Sequence, residues 1–274
     1  MKNVLSDTVR NLPTALSRSI RRFSTDEVLV RASSLAFASM LSMVPVAAVS
    51  LVIFSSFPEF IAYASHLKGL IIRTFLPGIG GVLESHIDEF IANASSLSII
   101  GICSLMSSSA FLMFEIRSTF SRIFGSFPRS SVAERIFELI AFLTSGPIAI
   151  AGVGWGAAMI LERYGVDLGA ISASWQSYGI AFGAFFLILV ICSPRGTSVT
   201  ACLVGSVVGC TVYSLAQFAF IKYISLPVLP NLIYGAMAII PLLQMWLLVL
   251  WVIIILSATL AAELSAGEIA NRID

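Results

Sequence analysis

Charge is what this sequence has least of. Of 274 residues, 11% are Asp, Glu, Lys or Arg and 58% are hydrophobic, whereas soluble domains carry about a quarter charged residues. So few charges cannot cover a water-soluble globule of this length, so the surplus apolar surface has to meet lipid. A net charge of +1 excludes a general polyanion-binding surface. Cysteine is scarce as well. Cys103, Cys192, Cys202 and Cys210 all lie in apolar stretches, with no CxxC and no neighbouring histidine pair. They read as small buried hydrophobes, which excludes a zinc site and a disulfide framework. His66 and His86 are the only histidines. HExxH, GxSxG, P-loop and paired-carboxylate motifs are missing, and the run Gly152-Val153-Gly154-Trp155-Gly156 lacks the strand-to-helix setting of a nucleotide fingerprint. The expectation is a non-enzyme with no catalytic residue, no metal and no cofactor.

What the sequence does have is long apolar runs. Crossing the hydrocarbon takes about twenty apolar residues in a helix. Residues 32–57, 97–114, 137–161, 178–192, 198–223 and 232–262 qualify, the fourth being short and the last long enough to tilt or project. The first run follows a long basic segment and is too long for a signal h-region, so it reads as a retained membrane helix rather than a cleaved leader. Loop charge orients the set. Lys68, Arg73, Arg163 and Lys222 lie on one side, and the other twelve of the sixteen Lys and Arg residues lie on the opposite one. Basic loops stay cytoplasmic, which places both termini inside. The expected fold is therefore all-α: a polytopic bundle of six transmembrane helices. Residues 1–31 form a cytoplasmic basic segment, 32–262 the membrane domain and 263–274 a cytoplasmic tail.

Two stretches outside the spans are patterned. Leu16, Ile20 and Phe23 share a helical face apart from Arg18, Arg21 and Arg22, a pattern that suits a helix on an anionic inner leaflet as well as a plain positive flank. Ser24, with Glu27 three residues on, matches a capping box for the next helix. Between the first two spans, residues 58–96 carry two amphipathic runs, Phe60, Ala64, Leu67, Ile71 and then Leu83, Ile87, Phe90, Ile91, split by the Pro77–Gly81 turn. They predict a pair of external amphipathic helices.

Charges at membrane depth are expensive and need a reason. Glu115, Glu138 and Glu263 end or begin spans on the cytoplasmic side, level with Arg31, Arg117, Arg122 and Arg135. Such a network suits a closed vestibule or an anionic headgroup, and each charge alone also suits a helix end snorkelling to water. Gln244 and Gln217 are candidates for lining a polar cavity. The serines of the first two spans, and Gly152-xxx-Gly156 and Gly205-xxx-Gly209, read as packing elements between helices. Pro45, Pro147 and Pro241 interrupt three spans and can kink them.

Leu35-Ala36-Phe37-Ala38-Ser39-Met40-Leu41-Ser42-Met43-Val44-Pro45 with Phe57-Pro58 resembles the first-helix signature of the YihY/BrkB family of bacterial inner-membrane proteins. Phe75-Leu76-Pro77 and Glu89-Phe90-Ile91-Ala92-Asn93 are similar to that family's external segment. Leu232-Ile233-Tyr234-Gly235, Ala238-Ile239-Ile240-Pro241 and Trp246 through Glu263 are similar to its final helix. The resemblance implies a six-helix protein of the cytoplasmic membrane, linked to envelope lipid or solute export, with no catalytic residues to carry over. Ser257-Ala258-Thr259 departs from the family's Gly-containing approach to the glutamate, which implies a looser packing site there. A ribonuclease label once attached to the family finds no acidic cluster with ligand-like spacing here, and nucleic acid is not an expected partner. The expected function is transport of an anionic lipid, amphiphile or organic anion, with Glu115 and Glu263 gating, Gln244 and Tyr234 facing the path, and Arg117 and Arg122 beside it. The alternative is a non-transporting envelope scaffold. Membrane lipids are the expected partners, with a second copy or an envelope protein as further options.

Overall fold

In a bilayer core every backbone N–H and C=O has to be satisfied within the chain, which leaves helices for these apolar runs. The structure, a computed structural model, describes residues 13–19, 21–22, 27–55, 99–125, 173–194, 196–225 and 239–273. Among them every regular element is helical. Five long helices stand out: α1 (Val28–Ser55), α2 (Ile99–Phe124), α3 (Ala173–Cys192), α4 (Val199–Ile224) and α5 (Ile239–Ile273). Residues 13–19 and 21–22 add a short helical segment ahead of α1. The expected third span, 137–161, and the external stretch 58–96 lie outside the described residues.

The helices extend past the apolar runs that announce them. α2 continues ten residues beyond Phe114, so Glu115, Arg117 and Arg122 ride on unbroken helix. α5 has 35 residues, about 52 Å at 1.5 Å per residue, against a hydrocarbon core of about 30 Å. It runs through Glu263 to Ile273, so the stretch expected as a tail is mostly helix. α4 and α5 are long and apolar enough to cross a membrane. α3, α4 and α5 are apolar on all sides rather than on one face, as helices bordered by other helices and lipid are. Large side chains lie open on the outer surface, among them Phe114 at 62%, Phe218 at 65% and Leu215 at 67% exposure. Side chains of this size and exposure are ordinary against acyl chains.

α5 is the hub, packing against each of the other four helices, with α1 and α2 as one pair and α3 and α4 as another. The α3–α4 pair is closed by a tight turn. Pro194 stops α3, Gly196 takes a φ of +110° that a side chain would resist, and Ser198 opens α4 with its carbonyl accepting from Cys202 N–H at 3.1 Å. Ser198 N–H also donates to Ser265 Oγ at 3.1 Å, tying the turn to α5.

Small residues set how closely the helices approach. A Cβ on Gly205 would stand 2.9 Å from the Ser257 carbonyl oxygen, and one on Gly209 would run into the Ser257 side chain. This is the close approach expected of a Gly-xxx-Gly pair. It also corrects the expectation of a loosened site: Ser257 is 2% exposed, donates to Ile253 C=O at 2.7 Å and fills the groove that the two glycines leave. Further along this seam the buried Phe185, Tyr213, Trp246 and Phe220 form a chain of tilted rings 4.7–5.9 Å apart.

Candidate functional site

Polar groups inside a membrane bundle are normally paired off, and the described serines and threonines largely are. Ser206, Thr211, Ser214, Ser257 and Thr259 each donate to the carbonyl four residues back. Between helices, Trp251 Nε1–H donates to Ser39 Oγ at 2.8 Å. The Ser42 hydroxyl lies 2.7 Å from Ala38 C=O and 2.8 Å from Ser108 C=O on α2, its one proton shared. Against this background, among the described residues, two buried atoms find no hydrogen-bond partner: Thr119 Oγ1 and Gln244 Oε1. An unpaired buried hydroxyl costs about 1–3 kcal/mol, so each is a place to look for function.

Thr119 leads to a cavity. A space of about 470 Å³ opens where the start of α1, the end of α2 and α5 converge, and Glu27, Arg31, Thr119, Ser121, Arg122 and Thr259 supply its polar lining. Val28, Ile123 and Ile255 supply the apolar part, and Gly125 closes the corner. The local sequence builds each wall. Arg31 sits one turn into α1. Thr119 and Arg122 are three apart on α2 and so share a face. Ile255 and Thr259, four apart, do the same on α5. Gly125, at φ +81°, ends α2 by donating its N–H to Ser121 C=O at 3.0 Å, the usual use of glycine after a helix. Two guanidinium groups face one carboxylate across this space, and a buried hydroxyl stands at its wall. Among the described residues the charged part of the lining is two arginines and one glutamate.

Glu27 is held in an unusual way. Its φ is +53°, the one non-glycine residue in the left-handed region among the described residues, a conformation that costs roughly 1–2 kcal/mol for an L-residue. It stands directly before α1, and its carbonyl accepts the first helical hydrogen bond, from Arg31 N–H at 3.1 Å. The capping-box expectation is thereby corrected. Glu27 would have to be the third residue inside the helix to reach back to Ser24, and it lies outside. Backbone strain of this kind gathers at functional turns, and here it turns the chain at the cavity wall.

One helical turn beyond Thr259, Glu263 Oε1 takes an ion pair of 3.0 Å from Arg22 Nη1. The same N-terminal segment buries Ala15 against Ala201, Leu260 and Leu264, and Ser19 is 3% exposed. Ala15, Ser19 and Arg22 thus form the face that meets α4 and α5, while Leu16 on the other side is 39% exposed.

The expected site residues disperse. Arg122 lies on the cavity with Arg31. Glu115 and Arg117 are half-buried one turn earlier on α2 and do not line it. Glu263 belongs to the Arg22 pair. Gln244 is in the other half of α5, its amide oxygen buried. Pro45 lies within α1, which is helical from Val28 to Ser55. Pro241 is the third residue of α5, a first-turn position where the missing N–H costs no helical bond. Tyr234, Pro147, Glu138 and Arg135 lie outside the described residues. Sequence reasoning passed over Thr119, because its type and helical setting match those of satisfied threonines and only tertiary packing reveals the difference. It took Glu27 as a cap. Among the described residues no cluster of three or more His, Cys, Asp or Glu could hold a metal ion.

The family model described as virulence factor BrkB matches residues 19–273. A UPF0761 membrane protein of Mannheimia succiniciproducens is 30% identical over 257 residues, covering 89% of this chain and 86% of its own. One from Haemophilus influenzae is 28% identical over 93% of this chain and 95% of its own, and one from Alteromonas mediterranea is 27% identical over 89% and 85%. No solved structure matches the chain.

Proposed function

The chain belongs to the BrkB virulence-factor family of membrane proteins, and from that premise we propose that it takes up and moves an anionic lipid or amphiphile at the cytoplasmic face of a bacterial inner membrane. In this reading six helices span the bilayer with both termini inside, as the twelve-to-four division of basic residues favours. The observation that carries the proposal is the cavity itself. Arg31 and Arg122 line it at the basic end of the bundle, where an anionic inner leaflet would supply headgroups. The unpaired Gln244 oxygen in the opposite half of α5 supports a polar path continuing away from that end.

Reconstitution tests it. Liposomes containing the protein and a trace of fluorescent anionic phospholipid are expected to lose inner–outer asymmetry faster than empty ones, and Arg122→Gln is expected to slow this about tenfold, the effect of losing one charge-assisted contact. If the wild-type protein moves neither lipid nor organic anion, the transport reading fails. A second reading has one observation behind it. The seam between α3, α4 and α5 is closely packed, closed by Gly205, Gly209 and Ser257 and by the ring chain through Trp246. A closely packed seam suits a scaffold that docks envelope partners, and a protein that moves no lipid yet retains a defined partner in detergent would favour it.

A further inference from the structure

The N-terminal segment has a face that the bundle uses and two flanks that it does not. Ala15 packs with Ala201, Leu260 and Leu264, Ser19 is buried and gives its proton to Ala15 C=O at 2.8 Å, and Arg22 pairs with Glu263 at 3.0 Å. On a helix with 3.6 residues per turn, Leu16 lies roughly 90° to one side of that face, and Arg18 and Arg21 lie roughly 70° and 130° to the other. All three are exposed. Among the described residues Arg18 and Arg21 form no ion pair, so their charge is spent on nothing inside the protein. Arg22, on the docked face, has its carboxylate.

Exposed arginines alone mean only solvation, and what surrounds these two narrows the reading. Both anchors of the segment fall within one turn of α5, Leu260 to Leu264, so it is held at one level of the bundle. At that level α4 opens Val199, Leu203 and Val207 outward, an apolar surface that acyl chains cover. A helix fixed there by one side, with an apolar flank and a cationic flank facing apart, matches the boundary between acyl chains and headgroups. A plain basic flank would need neither the buried Ser19 face nor the separation of Leu16 from the free arginines. We propose that residues 13–22 are an interfacial helix that binds anionic phospholipid, with Leu16 set among the acyl chains and Arg18 and Arg21 on the headgroup phosphates. The proposal rests on the membrane placement of this end given above and not on transport.

The full chain is reconstituted in nanodiscs of phosphatidylcholine alone or of equal parts phosphatidylcholine and phosphatidylglycerol, and amide hydrogen exchange is followed by mass spectrometry. Exchange of residues 13–22 is expected to be about fivefold to twenty-fivefold slower in the anionic discs, about fivefold for each arginine near the surface. Molar salt, which screens charges beyond about 3 Å, is expected to remove the difference. The double variant Arg18→Gln, Arg21→Gln, at two exposed positions, is expected to lose most of it while exchange in α4 and α5 stays as in the wild type. Leu16→Ser is expected to speed exchange of the segment about threefold in both kinds of disc, through the lost apolar area. Equal wild-type exchange in the two discs, a difference that survives molar salt, a wild-type difference in the double variant, or no effect of Leu16→Ser overturns the proposal. The two faces of a disc are alike and no lipid has to move, so slowed exchange in a protein that transports nothing would remove the transport reading and leave this surface in place.

Discussion

Thr119 and Thr259 face the same cavity from neighbouring helices and differ in one bond. Thr259 returns its proton to its own helix at 2.8 Å, and Thr119 does not. The Thr119 hydroxyl is therefore a cost, and Thr119→Val is expected to raise stability by about 1–3 kcal/mol, read as a higher thermal midpoint in detergent. A fall in the midpoint would mean that the hydroxyl has an internal partner. Gains of this kind commonly come with lost function where a site is kept strained for use. Glu27, with its φ of +53° at the same cavity, fits that pattern. At this scale the sequence was only partly legible. Arg31 and Arg122 could be named because an arginine at membrane depth is conspicuous, whereas a threonine among apolar neighbours carries no mark of whether it will be paired.

The α4–α5 contact depends on what two glycines lack. Gly205 meets the backbone oxygen of Ser257, which cannot swing aside, so Gly205→Ala is expected to destabilise the bundle by about 1–3 kcal/mol through overpacking. Gly179 on α3 has no heavy atom within 4 Å of where its Cβ would be. Gly179→Ala is expected to stabilise by about 0.5–1 kcal/mol through helix propensity alone. Thermal melts of the two variants in the same detergent should move in opposite directions. The spacing of Gly205 and Gly209 was readable as a packing element, because four residues is one turn. What lies in the groove was not readable. Ser257 was expected to loosen the contact and instead fills it, since a serine whose hydroxyl is turned back to Ile253 C=O is nearly as slim as an alanine.

For the molecule as a whole, the N-terminal segment is seated on the bundle rather than lying free on it. Ala15 is buried against α4 and α5, and Arg22 meets Glu263 at 3.0 Å. Arg22 is 38% and Glu263 17% exposed at the side chain. Solvent screening limits such a pair to about 0.2–1 kcal/mol. Arg22→Glu is expected to lower stability by about that amount, and adding Glu263→Arg to recover most of it. A double-mutant cycle with no coupling between the two positions would show that the seat depends on the Ala15 face alone. The leaflet-binding pattern seen in the sequence remains compatible with this seat, because Leu16 points away from the bundle.

Sequence by itself determined that the protein is helical and belongs in a membrane. So few charges and so many apolar residues leave a chain no other stable arrangement, and backbone groups in lipid must bond within their own helix. It also determined where α4 lies to within a residue and where α1 lies to within a few, since hydropathy changes sharply at their ends, whereas α3 starts five residues before its apolar run. Tertiary structure decided the rest. It carried α2 and α5 past their apolar runs, separated Glu115 and Glu263 from the cavity, and joined Glu263 to Arg22 across 241 positions of sequence. It also brought Arg31, Thr119, Arg122 and Thr259 from three helices to one space. Hydropathy is a sum over neighbours in the chain, whereas a site is made by neighbours in space, and only the packing around α5 fixes which residues those are.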